Sequence, residues 1–271
     1  MKTLVLAVST IALATLLVAC GAPAAPAPAH GIGVTWPQDV DSMVMVSVPA
    51  GEFVMGTADP TPLTTDEAPQ HTVDLDAFWI DRTEVTNAMV ARCVEAGKCK
   101  KPGSVNFGAA EFADHPVVSV TWDEAKTYCE WAGRRLPTEA EWEKAARGTD
   151  GRTYPWGNDA PDSVIGVPTG EGPADTIAVG SVPADVSPYG ALGMFTGVPT
   201  WIADWYDENY YANSPSKNPQ GPPSAVQPPQ RAIRGGGWGA PPEFARLANR
   251  SGSLPDVRSA AIGFRCARSS P

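Results

Sequence analysis

The chain has 271 residues, with 30 Asp and Glu against 20 Lys and Arg. That acidic balance argues against non-specific nucleic-acid binding and against adhesion to anionic lipid. With 28 Pro, 26 Gly and 9 Trp, the composition predicts a loop-rich domain built around large aromatic anchors rather than long helices.

Residues 1–20 read as a targeting segment and leave the fold argument. Lys2 supplies the positive start, and the apolar run over 4–18 is too short for a good membrane span. The run ends in Leu17-Val18-Ala19-Cys20-Gly21, the pattern of a bacterial lipoprotein box. The expectation is cleavage before Cys20 and lipid on its sulfur, with sorting to the outer membrane. The alternative is an ordinary signal peptide that happens to contain a cysteine. Residues 21–40 begin with an Ala/Pro alternation that cannot bury a core and read as an extended tether. The folded domain is expected over 41–271.

Residues 41–57 read as a β-hairpin, with alternating apolar residues on either side of Pro49-Ala50-Gly51. Residues 71–80 read as one strand. Thr86 is a suitable cap for a helix that stops at Gly97. Residues 100–114 read as a loop and 115–120 as a short β run. Thr121 and Glu124 form a capping-box pair before a helix with Ala125, Tyr128, Cys129, Trp131 and Ala132 on its apolar face. Thr138 and Glu141 repeat the device before a third helix whose Trp142, Ala145 and Ala146 face inward. Beyond that helix the chain reads mostly as loop, with Pro-rich stretches, until residues 262–266, which read as a buried strand ending in a thiol. Few regular elements of both kinds in one domain predict an α+β class.

Four cysteines remain after Cys20: Cys93, Cys99, Cys129 and Cys266. An even count in an exported chain suggests disulfides, for which three pairings exist. Cys93 and Cys99 are close enough to close a turn around Gly97, which leaves Cys129 with Cys266. Reactive thiols are the competing reading.

Five stretches carry a resemblance. They are Arg234-Gly235-Gly236-Gly237-Trp238, the closing Gly263-Phe264-Arg265-Cys266, the run over 134–143, Tyr154-Pro155-Trp156-Gly157-Asn158, and residues 189–206. Together they resemble the formylglycine-generating enzyme family, also called the sulfatase-modifying factor family, over residues 43–268. The resemblance implies a single domain related to the C-type lectin fold, and it implies the same Cys129–Cys266 pair. Family enzymes oxidise a substrate cysteine with oxygen through two copper-binding thiols. Those positions fall here on Ala240 and Ala245, and no cysteine lies between Cys129 and Cys266. Gly237 replaces the usual Ser. A soft metal site without thiolates is not expected.

The family's calcium run aligns with residues 196–201, where Gly197 and Thr200 replace its Asn and Glu. Calcium needs several oxygen ligands, carboxylates among them, so no calcium is expected there. Asp175 is a weaker candidate ligand at a second family site. The family's iron branch uses clustered histidines, whereas His30, His71 and His115 stand far apart in sequence. No phosphate loop, zinc spacing or Ser-His-Asp order appears. No metal and no cofactor are therefore expected.

What remains is a surface for recognition. The candidate ligand-binding residues are Trp238, Glu243, Phe244, Arg246, Asn249, Arg250, Asp256 and Arg258. The competing readings are an Arg250–Asp256 pair that only holds the loop, and core roles for Trp201, Trp205 and Trp238. The expected function is a non-catalytic, lipid-anchored module binding a protein, glycan or small ligand at the cell envelope. The alternatives are a family oxidoreductase acting without the cysteine pair, and a structural or assembly factor of the envelope.

Overall fold

A computed structural model describes residues 27–166, 175–236, 239–241 and 244–270. Its regular elements are few. Strands β1 (Thr35–Pro37), β2 (Val44–Val48), β5 (Phe78–Asp81) and β9 (Ala267–Ser269) form one antiparallel sheet in the order β1-β2-β5-β9. Strands β3 (Gly51–Met55) and β4 (His71–Leu75) pair separately. Strands β6 (Thr200–Trp205), β7 (Arg231–Arg234) and β8 (Ser251–Ser253) form the third sheet. The α-helices are α1 (Asn87–Glu95), α2 (Trp122–Trp131), α3 (Glu139–Arg147) and the short α4 (Pro161–Ile165). Among the described residues no helix is long and apolar enough to cross a membrane.

Helices α1, α2 and α3 start where the caps predict, whereas α4 lies in a stretch read as loop. Thr86 accepts from the Met89 amide, and both capping boxes close, Thr121 with Glu124 and Thr138 with Glu141. Each box satisfies amides at the helix start that have no partner within the helix.

The strands differ from the sequence reading. β2 and β3 do not pair with each other. They are two halves of one bent strand, as are β5 and β4, and the two bent strands run antiparallel as a ribbon. Met45 faces Asp81 and Val48 faces Phe78 before the corner; Gly51 faces Leu75 and Met55 faces His71 beyond it. Pro49 has no amide to donate, so the ladder breaks there. Buried Lys144 of α3 takes up the corner carbonyls, donating to Pro49 O at 2.9 Å and Gly51 O at 2.6 Å. Burial brings the Lys144 amine down to about 8.

Two further expected strands are extended segments without a continuous ladder. Residues 115–120 make one isolated bridge, Pro116 to Thr86, and then turn through Ser119 at φ 59°. Residues 262–266 change partner along their length. Gly263 N donates to Pro199 O, Phe264 O accepts from Val85 N, and Cys266 N donates to the Asp81 carboxylate. The regular strand begins one residue later, at Ala267.

The third sheet divides two cores. On β6, Trp201 enters the cluster with Val90, Tyr128 and Phe264, while Ile202 enters the cluster with Phe53, Trp142 and Ala145. On β7, Ile233 and Ala232 divide the same way. Successive strand side chains point to opposite faces, so one sheet serves both clusters. Helix α3 is buried on every face, not only at Trp142, Ala145 and Ala146. Its charged residues are matched both by neighbours, Glu141 by Arg135 and Glu143 by Arg147, and by distant groups, Glu139 and Glu143 by Arg234 and Lys144 by Pro49 O and Gly51 O. Both disulfides are present, Cys93–Cys99 and Cys129–Cys266.

Candidate functional site

The main cleft is a cavity of about 810 Å³. Its described walls come from six places in the sequence: residues 103–106, 116 with 118–119, 175–177, 196–199, 236 with 239–240, and 260–261. The described lining is mostly small or apolar, including Val118, Ile177, Val198, Pro199, Ala240 and Ala261. Val105 stands at its edge, 96% exposed. Its one described charge is Asp175, which accepts from Asn106 Nδ2 at 3.1 Å. Asp175, the weaker calcium candidate of the sequence, thus faces the cleft.

The glycine stretch shapes one wall. Gly235 and Gly236 both adopt positive φ, 86° and 74°. A Cβ on Gly235 would lie 2.8 Å from the Trp142 ring, and one on Gly236 would lie 2.2 Å from Pro199 Cδ. Only glycine tolerates both the backbone angle and the approach. Arg234, just before them, anchors the wall. Its guanidinium donates to the Glu143 carboxylate, to Glu139 Oε1 at 3.2 Å and to Leu247 O at 2.8 Å.

Behind Gly197 of the lining lies Glu84, 1% exposed. Its carboxylate presses so closely on Gly197 that an added Cβ would sit 1.6 Å from Oε1. Oε1 has no hydrogen-bond partner among the described residues, and the ion pair of Oε2 with Arg265 is long at 3.4 Å. Burial raises the Glu84 carboxyl to about 7, against the pull of Arg265. Burial also raises neighbouring Asp185, whose Oδ2 accepts from the Phe195 and Thr196 amides. A carboxyl that titrates at 4.5 unfolded and about 7 folded holds a proton in the folded chain that the unfolded chain has released. Its contribution to stability is therefore complete below pH 4.5 and is lost as the pH rises through 7. The expected result is that wild type loses stability across this window relative to Glu84→Gln. Urea midpoints of both proteins at intervals of pH check it; parallel curves would show that Glu84 does not titrate there.

The residues aligned with the family's calcium run do not offer that donor set. Gly197 has no side chain, its space is filled by Glu84, and Thr200 Oγ1 donates to Arg234 O at 3.1 Å. Of the two positions where the sequence reading expects the thiols, Ala240 lines the cleft and Ala245 is 0% exposed. Each histidine has a hydrogen-bond partner: His30 has Ser47 and Ser270, His71 has Pro69 O, and His115 has Thr176. Among the described residues no group of three His, Cys, Asp or Glu is placed to hold a metal ion.

The six described candidate ligand-binding residues do not form one patch. Trp238 and Glu243 lie outside the described residues. Arg250 is 4% exposed and faces inward, which corrects both readings of it. Its Nε donates to Glu139 Oε1 at 2.7 Å, its guanidinium stacks on Tyr211 at 3.9 Å, and Asp256 is not its partner. Burial would raise the Glu139 carboxyl, but Arg250 and Arg234 outweigh it and hold Glu139 below its usual value. Arg246 pairs with buried Glu67 at 2.9 Å, and Asn249 reaches the same oxygen. Phe244 is half-buried. Asp256 and Arg258 line a different, smaller pocket. Trp201 is core, as one reading had it, whereas half-buried Trp205 and buried Trp122 clasp Arg231, at 3.5 and 3.7 Å.

Val105, Asn106, Ile177, Val198 and Glu84 were missed. An isolated valine in a polar loop was a faint signal for Val105. Nothing local marked Glu84, because the glycine it meets is far along the chain.

A sparse α+β scaffold that carries an open cleft on loops, with its glycine wall bolted to a buried helix, defines the class of protein. Residues 34–270 match the family described as the sulfatase-modifying factor enzyme 1-like domain, and the chain belongs to that family. It is 32% identical to the formylglycine-generating enzyme of Bos taurus, over 82% of this chain and 74% of that one. It is 34% identical to the formylglycine-generating enzyme of Streptomyces coelicolor, over 82% of this chain and 88% of that one. Among solved structures it is similar to PvdO from Pseudomonas aeruginosa, with TM-score 0.73 and 29% identity, covering 89% of this chain and all of that one.

Proposed function

We propose that the protein is a lipid-anchored envelope protein whose sulfatase-modifying-factor domain is a non-catalytic binding module. Cys20 carries the anchor, and the tether is the stretch between it and β1; the domain begins earlier than the expected residue 41, because Thr35–Pro37 already pair with β2 in the first sheet. The occupant of the main cleft is an extended polypeptide segment. The observation that carries this reading is the character of the cleft wall: Ala240 stands where the family's first thiol falls, beside Gly236 and Gly239. Small and apolar walls accommodate a main chain and short side chains. No exposed aromatic face lines the cleft among the described residues to stack a sugar ring.

The family resemblance favours a second reading, an oxidoreductase that works without the copper-binding pair. The relatives named formylglycine-generating enzymes are its support. Elemental analysis of the purified full chain separates the two. The binding-module reading expects no stoichiometric copper or iron, and saturable binding of peptides selected from a displayed library. It also expects Ala240→Trp to abolish that binding by filling the cleft. One copper or iron per chain, or oxidation of a peptide cysteine by the purified protein, overturns it.

A further inference from the structure

A second pocket, separate from the main cleft, has the make-up of a ligand site. Its volume is about 350 Å³, within the range of small-molecule sites. Arg258 is the partition. Its Nη1 donates to Ser119 O at 3.0 Å, and Ser119 lines the cleft while Arg258 lines the second pocket. Arg258 is also paired with Glu124 of the α2 capping box, so these two charges cancel.

The floor is apolar and rigid. Tyr128 and Phe264 meet edge to face, ring centroids 5.4 Å apart. The Cys129–Cys266 bridge joins the two segments that carry these rings. One rim carries Lys98 and Lys100, on either side of Cys99, whose bridge to Cys93 fixes that turn. Another carries Asp123 and Asp256. All four are exposed, and Lys98, Lys100 and Asp256 make no side-chain hydrogen bond or ion pair among the described residues. Asp123 likewise makes no side-chain hydrogen bond or ion pair among them.

Two uncompensated cations and two carboxylates around an apolar floor match one ligand chemistry. A ligand with a single charge would leave one rim unpaired; a zwitterion with an apolar body satisfies both. We infer that this pocket binds a free α-amino acid with an apolar side chain. Its carboxylate sits at Lys98 and Lys100, its ammonium at Asp123 and Asp256, and its side chain within the pocket against the lining that Val120 and Pro255 contribute and that Tyr128 and Phe264, each 1% exposed, back from the core. The two disulfides hold the walls in place before the ligand arrives, which lowers the ordering cost of binding.

The test is calorimetric titration of the full chain with L-phenylalanine, N-acetyl-L-phenylalanine and L-phenylalaninamide. Phenylalanine is expected to bind saturably, and each blocked form about tenfold more weakly, as for the loss of one charged hydrogen-bonding end. The double variant Lys98→Ala, Lys100→Ala should reduce phenylalanine to the level of its amide while leaving the amide unchanged. Asp256→Asn should act in the same way on the ammonium end. These are exposed side chains, so the fold survives their replacement, which far-ultraviolet circular dichroism confirms. Absence of saturable phenylalanine binding, or binding indifferent to both variants, overturns the inference. Ala240→Trp should leave phenylalanine binding intact. A loss there would place the ligand in the main cleft and also overturn the inference, so this test is independent of the reading of that cleft.

Discussion

Arg234→Ala is expected to cost about 3–5 kcal/mol of folding stability, the range found when one partner of a buried ion pair is removed. Arg234 lies on β7 with its side chain 0% exposed, between Glu139 at 2% and Glu143 at 0%. Removing the guanidinium strands charge that water cannot reach. Arg147 still holds Glu143 at 2.6 Å and Arg250 still holds Glu139 at 2.7 Å, so the network is weakened rather than emptied. The exposed pair Lys126–Glu130 is the control, with side chains 45% and 55% exposed. Lys126→Ala should cost less than about 0.5 kcal/mol, because solvent screens a surface pair of this kind. Urea denaturation of the three proteins measures both numbers. A loss below about 1 kcal/mol for Arg234→Ala would mean that the buried charges relax or neutralise, contrary to the desolvation argument. Because the glycine wall follows Arg234 directly, the same variant should also blunt any binding in the cleft.

The second large effect belongs to the Cys129–Cys266 disulfide. It closes 137 residues of chain, and its removal by Cys129→Ala with Cys266→Ala should cost about 5 kcal/mol from loop-closure entropy. The Cys93–Cys99 bridge spans a separation of 6, and the same reasoning gives about 2 kcal/mol. The long bridge also joins α2 to the segment that runs into β9, and β9 completes the first sheet against β5. Its loss should therefore loosen residues 262–269 first. Hydrogen exchange at the Asp81 and Val85 amides, which donate to Cys266 O and Phe264 O, reports this directly. Equal losses for the two double variants would show that loop length does not govern their contribution.

The parts of the fold legible in the sequence are those set by neighbouring residues. Thr121 with Glu124, and Thr138 with Glu141, mark helix starts because each box closes within three residues. The strand pairing was not legible. Residues 41–57 look like a hairpin because apolar residues alternate on both sides of Pro49-Ala50-Gly51, and alternation specifies faces, not partners. Lys144 Nζ decides the matter by holding the corner, from a helix almost a hundred residues away.

The site divides along the same line. Family membership and the alanines at 240 and 245 are readable in the primary structure, since both depend on which residues succeed one another. Where Arg250 points is not readable. An Asn-Arg pair on a loop resembles a recognition element, yet Glu139 draws Arg250 into the core. The main cleft is equally invisible, because its walls come from segments that meet only after the sheets have packed.

By itself, then, the sequence determined the helix caps, the cysteine set and the family, all properties of local order. Tertiary structure alone decided which strands pair, which arginines are buried and where the two pockets lie. Those outcomes rest on contacts between residues distant along the chain, and on how burial changes the energy of a charge.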